Sequence, residues 1–164
     1  MKQQTFSDVE YSNRRGKTRR ERFLDSMEEL LPWEKWIEMI RPYYYRNTRG
    51  RKPKAIEVML RMYLLQRWYH LSAEGIEEAV SDSYAMRRFL GINFLDEQTP
   101  DASTLLRFRH LLENHHMDEQ IAEEEAEAIR KAGFVIHEGL ITDAVVVRVP
   151  KNLKKSPAGK RTET

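Results

Sequence analysis

The sequence contains no cysteine, which excludes disulfide bonds and thiolate metal sites. It also lacks an apolar run of about 18 residues, the length that a membrane-spanning helix requires. Residues 1–10 have no apolar segment of the kind found in secretory signals. From these absences we expect a chain that works in a reducing cytoplasm and has no membrane partner.

Apolar residues make up 40% of the chain and include 3 Trp and 6 Phe, so one ordinary domain can bury a core. The net charge of +2 hides an uneven distribution. Residues 1–54 carry 14 Lys and Arg against 8 Asp and Glu, residues 151–164 carry 5 against 1, and acids predominate between them. Basic ends around an acidic middle are typical of a chain that binds a polyanion, most commonly nucleic acid.

The first two helices are marked by their capping signals. Thr18 and Glu21 have the spacing of a capping box, which predicts a helix over residues 19–31. Pro32 suits the first turn of a second helix, and Pro42 is expected to stop it. The two helices should form a hairpin.

The next helices differ in how much of their surface is apolar. The helix expected over about 54–69 is apolar on a wide face and should lie at the centre of a bundle. Two short helices follow, the first capped by Ser72 and the second by a residue of Ser81-Asp82-Ser83, and the second carries Arg87-Arg88. In outline this pair resembles a helix-turn-helix, although short helix pairs are frequent in any bundle.

A further helix, expected over about 101–113, has Asp101 or Ser103 as its cap and presents Arg107 and Arg109 on its polar surface. Its simplest interpretation is an ordinary amphipathic helix.

The last predicted helix runs from about residue 119 to 132 and is capped by Asp118. It carries closely spaced carboxylates, which would need bound cations to share a core. They are therefore expected to form a solvated face, and they are Glu123, Glu124, Glu125 and Glu127.

Between the second and third helices, Tyr43-Tyr44-Tyr45 precedes a basic stretch over residues 46–54. One interpretation is a loop that contacts phosphates and offers rings for stacking on bases. The other is a solvated basic connector whose tyrosines cover the core. The sequence favours neither strongly.

At Phe134 the pattern changes from helix to strand. Residues 134–136 and 140–149 are rich in β-branched side chains, and residues 137–139 are expected to form a tight turn between them. Asp143 is an acid within the second of these strands. A carboxylate in a buried strand is costly unless it is paired, hydrogen-bonded or bound to metal, so Asp143 is either a satisfied structural acid or part of a site.

Several segments, in the same order along the chain, resemble the N-terminal part of a bacterial DDE transposase of the insertion sequence 5 family. The resemblance covers about residues 4–150. It is carried by Gln4-Thr5-Phe6, Asp8, Arg14 to Arg22, Met27-Glu28, Leu31-Pro32-Trp33, Gly50-Arg51-Lys52-Pro53, Met59-Leu60-Arg61, Gln66 to Ser72, Met86-Arg87, Phe89, Pro100-Asp101, Ser103-Thr104-Leu105, Phe108 to Glu113, Gly139-Leu140 and Thr142-Asp143-Ala144.

This resemblance implies a helical region that binds the terminal inverted repeats of a mobile element, followed by an RNase H-like domain. Asp143 would be the first of three catalytic carboxylates, and with its partner acids it would bind the Mg²⁺ or Mn²⁺ used in DNA strand transfer. The second Asp and the Glu cannot be assigned within these residues. We therefore expect an inactive, truncated fragment that has no cofactor of its own.

Together these observations predict a mainly α fold, with a helical N-terminal bundle and the first strands of an incomplete RNase H-like α/β domain. The expected division is a flexible basic arm over 1–17, a helical DNA-binding domain over 18–133, strands over 134–150 and a disordered basic tail over 151–164. The expected partner is double-stranded DNA in the bacterial cytoplasm, at the nucleoid. The residues expected to contact it are Arg14, Arg15, Lys17, Arg19, Arg20, Arg46, Arg49, Arg51, Lys52, Lys54, Arg107 and Arg109.

An alternative function of a different class is an oligomerisation module. In that case the helical region would pair with itself or with full-length transposase and form inactive mixed assemblies.

Overall fold

A computed structural model describes residues 6, 9–10, 13–14, 16–45, 50–93, 95–137 and 145–148, and for residues 135–137 and 145–148 it describes the backbone alone. This part of the chain is mainly helical, as predicted. Its helices are α1 (Arg19–Leu30), α2 (Trp33–Tyr44), α3 (Ile56–Trp68), α4 (Ala73–Asp82), α5 (Tyr84–Leu90), α6 (Ala102–Asn114) and α7 (Met117–Lys131), and its strands are β1 (Phe134–His137) and β2 (Val145–Arg148).

Most of the predicted caps are confirmed, because their short side chains accept hydrogen bonds from free backbone N–H groups. Thr18 accepts from the N–H of Glu21, whose carboxylate accepts from the N–H of Thr18 in return. The other confirmed caps are Ser72, Ser83 and Asp101.

Two predicted helix boundaries are wrong. Pro42 does not stop α2, which continues to Tyr44. Because Pro42 lies in the last turn, its missing N–H costs one hydrogen bond and its fixed φ still suits a helix. Asp118 does not cap α7 but lies in its first turn, and the residue before the helix is His116, whose φ of 54° is left-handed.

Helix α3 lies at the centre of the bundle, as predicted. From Met59 to Gln66 it is buried on all sides, which fits the weak amphipathic pattern of its sequence. Its buried residues are Ile56, Met59, Leu60, Arg61, Met62, Tyr63, Leu64, Leu65 and Gln66.

Helix α1 runs antiparallel to α3. The ring of Phe23 meets that of Trp68 at 5.2 Å near the end of α3, while Glu28 binds Arg61 near its middle. Helix α2 starts beside the middle of α3, since the indole of Trp33 lies under the Arg61 guanidinium.

The two strands form an antiparallel hairpin in which Phe134 pairs with Arg148 and His137 pairs with Val145. His137 therefore belongs to β1 and not to the predicted turn. Strand β1 lies against α7, and β2 lies against α1. The remainder of the predicted turn and the first half of the predicted second strand, including Asp143, lie outside the described residues.

Candidate nucleic-acid interface

The predicted DNA-contacting residues that the structure describes lie mostly near the two ends of α3. Arg20 is at one end, with its guanidinium 5.2 Å from the centre of the Tyr69 ring just beyond α3. Lys54 is at the other end, two residues before Ile56. A 13-residue helix is about 20 Å long at about 1.5 Å per residue, so this distance separates the two basic groups.

In the group near α1, most cations have partners within the protein. Arg20 donates to the hydroxyl of Ser83 at 3.2 Å. Lys17 pairs with Asp25 at 2.6 Å, and Arg14 lies 4.0 Å from the Glu21 carboxylate. Arg19 is exposed and keeps its charge available to a ligand.

In the group before α3, hydrogen bonds hold Lys54 against the protein, whereas Arg51 and Lys52 remain on the surface. The Lys54 ammonium donates to the carbonyl of Gln98 at 3.0 Å, and its own carbonyl accepts from the hydroxyl of Tyr44 at 2.6 Å. Arg51 and Lys52 are fully on the surface. These two cations are therefore the ones in this group that a phosphate can reach most easily.

The three tyrosines before this group differ in environment. Tyr43 stacks on the ring of His115, with 4.0 Å between centroids. Tyr44 packs edge-on against Phe108 at 6.0 Å. Tyr45 is 40% exposed. Two of the three rings thus pack within the protein, and Tyr45 is the one most available for stacking on a base.

The environment of Tyr44 gives a prediction for high pH. Burial, helped by the nearby Tyr45, raises the pKa of Tyr44 from 10.0 to about 12. The unfolded chain therefore loses this proton at lower pH than the folded chain, and stability should fall as the pH rises from 10 to about 12. Unfolding by urea at several pH values checks this, with Tyr44→Phe as the control. If the two proteins lose stability equally across this range, the assignment to Tyr44 is wrong.

The cations predicted on α6 are less available than expected. Arg109 lies 3.7 Å from Glu113 and, with Arg67 and His70, lines an open cavity of about 410 Å³ at the end of α3. Arg67 is itself paired with Glu125 at 3.0 Å. This cavity therefore has its charges largely neutralised. Arg107 is exposed and donates weakly to the backbone oxygen of Ser103 at 3.4 Å.

The structure overturns the prediction that the acids of α7 form one solvated face. Glu125 is only 5% exposed, and it accepts from the indole of Trp68 at 2.6 Å as well as from Arg67. Glu124 accepts from Lys35 at 2.7 Å and from the indole of Trp36 at 2.8 Å. The protein's own cations and indole N–H groups thus supply the partners that make these carboxylates tolerable next to a core.

The hydrogen bonds of Glu124 favour its charged form. The bond from Lys35 is the largest cause that lowers the pKa of Glu124, against the opposing effect of burial. Helix α7 is thereby fixed to α2 through Glu124 and to α3 through Glu125. Because β1 follows α7 after a single turn, these two carboxylates also fix where the hairpin begins.

The remaining predicted site residues, Arg15, Arg46, Arg49 and Asp143, lie outside the described residues. Within the described ranges, no three His, Asp or Glu side chains are grouped so that they could hold a metal ion. A membrane-spanning helix is also absent from these ranges.

The helical bundle and its basic surface can now be compared with known proteins. Residues 12–111 match the family described as Transposase domain (DUF772). This match spans more than half of the chain, and the chain belongs to that family of transposase domains. It covers both basic groups and all of α1 to α5. No solved structure matches the chain.

Proposed function

We propose that residues 18–133 form the DNA-binding domain of a transposase of the insertion sequence 5 family, and that they bind the terminal inverted repeats of the mobile element. The observation that carries this proposal is the placement of exposed cations at two separate points within the transposase family match. Arg19 lies at one end of α3, and Arg51 and Lys52 lie at the other.

The spacing of these two groups suits a duplex. Their separation of about 20 Å along α3 corresponds to roughly six base pairs at about 3.4 Å each. Cations spread over this distance can neutralise phosphates along one face of the DNA, which favours binding through release of counterions. Contacts of this kind fix the position of the protein on DNA, whereas recognition of the repeat sequence requires contacts to base edges.

Strand transfer is not part of the function proposed for the helical domain. The resemblance to DDE transposases assigns to Asp143 a share in binding Mg²⁺ or Mn²⁺, and we propose that role only together with its two partner acids. A carboxylate on a strand is a suitable ligand for these hard cations, but a single carboxylate cannot hold two of them.

The contribution of the group before α3 can be measured by neutralising it. Replacing Arg51 and Lys52 with glutamine should reduce the slope of log affinity against log salt by about 2, since each lost phosphate contact contributes about 0.9. The measurement is fluorescence anisotropy of a labelled repeat duplex at several salt concentrations.

A matched control removes two charges elsewhere. Arg130 and Lys131 are exposed near the end of α7, and both pair with Glu127. The control variant R130Q/K131Q should leave the salt slope unchanged. Equal slopes for R51Q/K52Q and the wild type would exclude this group from the interface.

A further inference from the structure

The basic group near α1 is part of a wider basic surface where α1 meets α5. The hydrogen bond from Arg20 to Ser83 joins residues 63 positions apart in the sequence, and it brings the first turn of α1 to the start of α5. The Arg20 guanidinium also covers the ring of Tyr69. Arg20 thus contacts both the residue that follows α3 and the start of α5. These contacts bring the cations of α1 and α5 to one side of the bundle.

We infer that this α1–α5 face binds the phosphate backbone of double-stranded DNA, with Arg22 and Arg88 as additional contact residues. The inference rests on the function proposed above and adds two residues that were not among the predicted DNA contacts. Both side chains are exposed. Arg22 donates to the backbone oxygen of Lys17 at 3.2 Å, which directs its guanidinium toward the basic start of α1.

The charges of this face favour a polyanion. Of its acids, Glu21 is buried within the capping box and Asp25 is paired with Lys17, so both are largely neutralised. Asp82, at the end of α4 beside Ser83, is a further exposed acid. The basic side chains that oppose these acids are Arg14, Lys17, Arg19, Arg20, Arg22, Arg87 and Arg88.

The size of the face also fits a DNA strand. Helix α5 has 7 residues and is about 10 Å long, so Arg88 lies within that distance of Ser83 along the helix axis. Arg22 is two residues beyond Arg20, or about 3 Å further along α1. The two stretches together are about 13 Å long, which is roughly the rise of four phosphates along one strand.

The same geometry redefines the role of α5. In the helix-turn-helix outline, α5 would be the helix that enters the major groove. Four of its seven residues are buried in the bundle, which leaves Tyr84, Arg87 and Arg88 outside the core. The guanidinium of Arg87 lies 5.9 Å from the ring centre of Tyr84. A short helix with so little free surface is better suited to contact phosphates than to read a run of base edges.

The test is the double variant R22Q/R88Q, measured as the full chain against a labelled duplex at several salt concentrations. The salt slope should fall by about 2, and the affinity at low salt should fall about tenfold or more. The matched control is R41Q/R130Q, because Arg41 and Arg130 are exposed arginines that each pair with a glutamate three residues earlier on their own helices. This control should bind as the wild type does.

Two further measurements distinguish a failure of this inference from a failure of the proposed function. The variant R22K/R88K keeps both charges and should retain the wild-type slope, and circular dichroism of each variant shows that the fold is intact. If R22Q/R88Q binds like the wild type while R51Q/K52Q is weakened, Arg22 and Arg88 do not contact DNA and this inference is overturned, but the function proposed from Arg19, Arg51 and Lys52 stands. If the wild type shows no salt-dependent binding to any duplex, both are overturned.

Discussion

Replacing Glu125 with alanine is expected to lower the free energy of unfolding by about 3 kcal/mol. Glu125 is 5% exposed and accepts from Trp68 and from Arg67 at 2.6 and 3.0 Å. Its removal leaves an indole N–H and a guanidinium without their acceptor. The side chain of Arg67 is 34% exposed, so water can solvate part of its charge, and the loss should lie at the lower end of the range for broken buried ion pairs.

Two comparisons isolate the cause of this loss. Glu125→Gln keeps an oxygen for the Trp68 indole but removes the charge that binds Arg67, so its loss should be intermediate. Glu123→Ala removes an exposed carboxylate two residues earlier and should change stability by less than about 0.5 kcal/mol. Urea unfolding of the three variants gives the answer. If Glu125→Ala is as stable as Glu123→Ala, Glu125 is not the buried anchor described above.

Replacing Arg61 with alanine should have an effect of similar size, about 3 kcal/mol. Arg61 is 6% exposed, and its guanidinium packs against the rings of both Trp33 and Phe89, at 4.4 and 4.9 Å from their centres. It also binds both Glu28 and Glu57 and donates to the backbone oxygen of Phe89 at 3.1 Å. Alanine would remove these bonds and leave a cavity beside the two aromatic rings.

The charge of Arg61 is itself well supported. Burial disfavours the charged form, but the hydrogen bond and charge of Glu28, followed by those of Glu57, outweigh burial and raise the pKa of Arg61. Both glutamates are about half exposed, so they remain solvated when the arginine is removed. The expected loss therefore comes mainly from the cavity and from the unpaired carbonyl of Phe89.

Substitutions that keep the volume of Arg61 test this explanation. Arg61→Met keeps an apolar side chain packed against the two rings and should cost clearly less than Arg61→Ala, because it leaves a smaller cavity and the half-exposed glutamates stay solvated. Thermal or urea unfolding measures both. If methionine proves as destabilising as alanine, the charge and not the packing is what holds α1, α3 and α5 together at this point.

The local signals in the sequence were sufficient to predict much of the fold. Caps such as Thr18 and Asp101 act within three residues, and the apolar pattern of α3 reports its own burial. Both kinds of signal depend on neighbouring residues alone. The sequence therefore predicted which segments are helical and which helix is central.

The failures of the sequence analysis arose from contacts between distant segments. Glu125 looked like one more exposed acid, because nothing near it in the sequence indicates that Trp68 would bind it from 57 positions away. Nothing near Arg20 in the sequence indicates that its guanidinium would donate to Ser83, 63 positions away, and cover Tyr69, and its predicted contact with DNA stays a prediction. The α1–α5 face escaped notice for the same reason, since its two parts meet only in the folded chain.

The central claim is that this transposase domain recognises the terminal inverted repeats of its element. The most direct measurement is the affinity of the full chain for the repeat duplex and for a shuffled duplex of the same length and composition, at physiological salt. Our account predicts that the repeat duplex binds at least about 10³-fold more tightly, as is typical of specific recognition. Equal affinities for the two duplexes would contradict it.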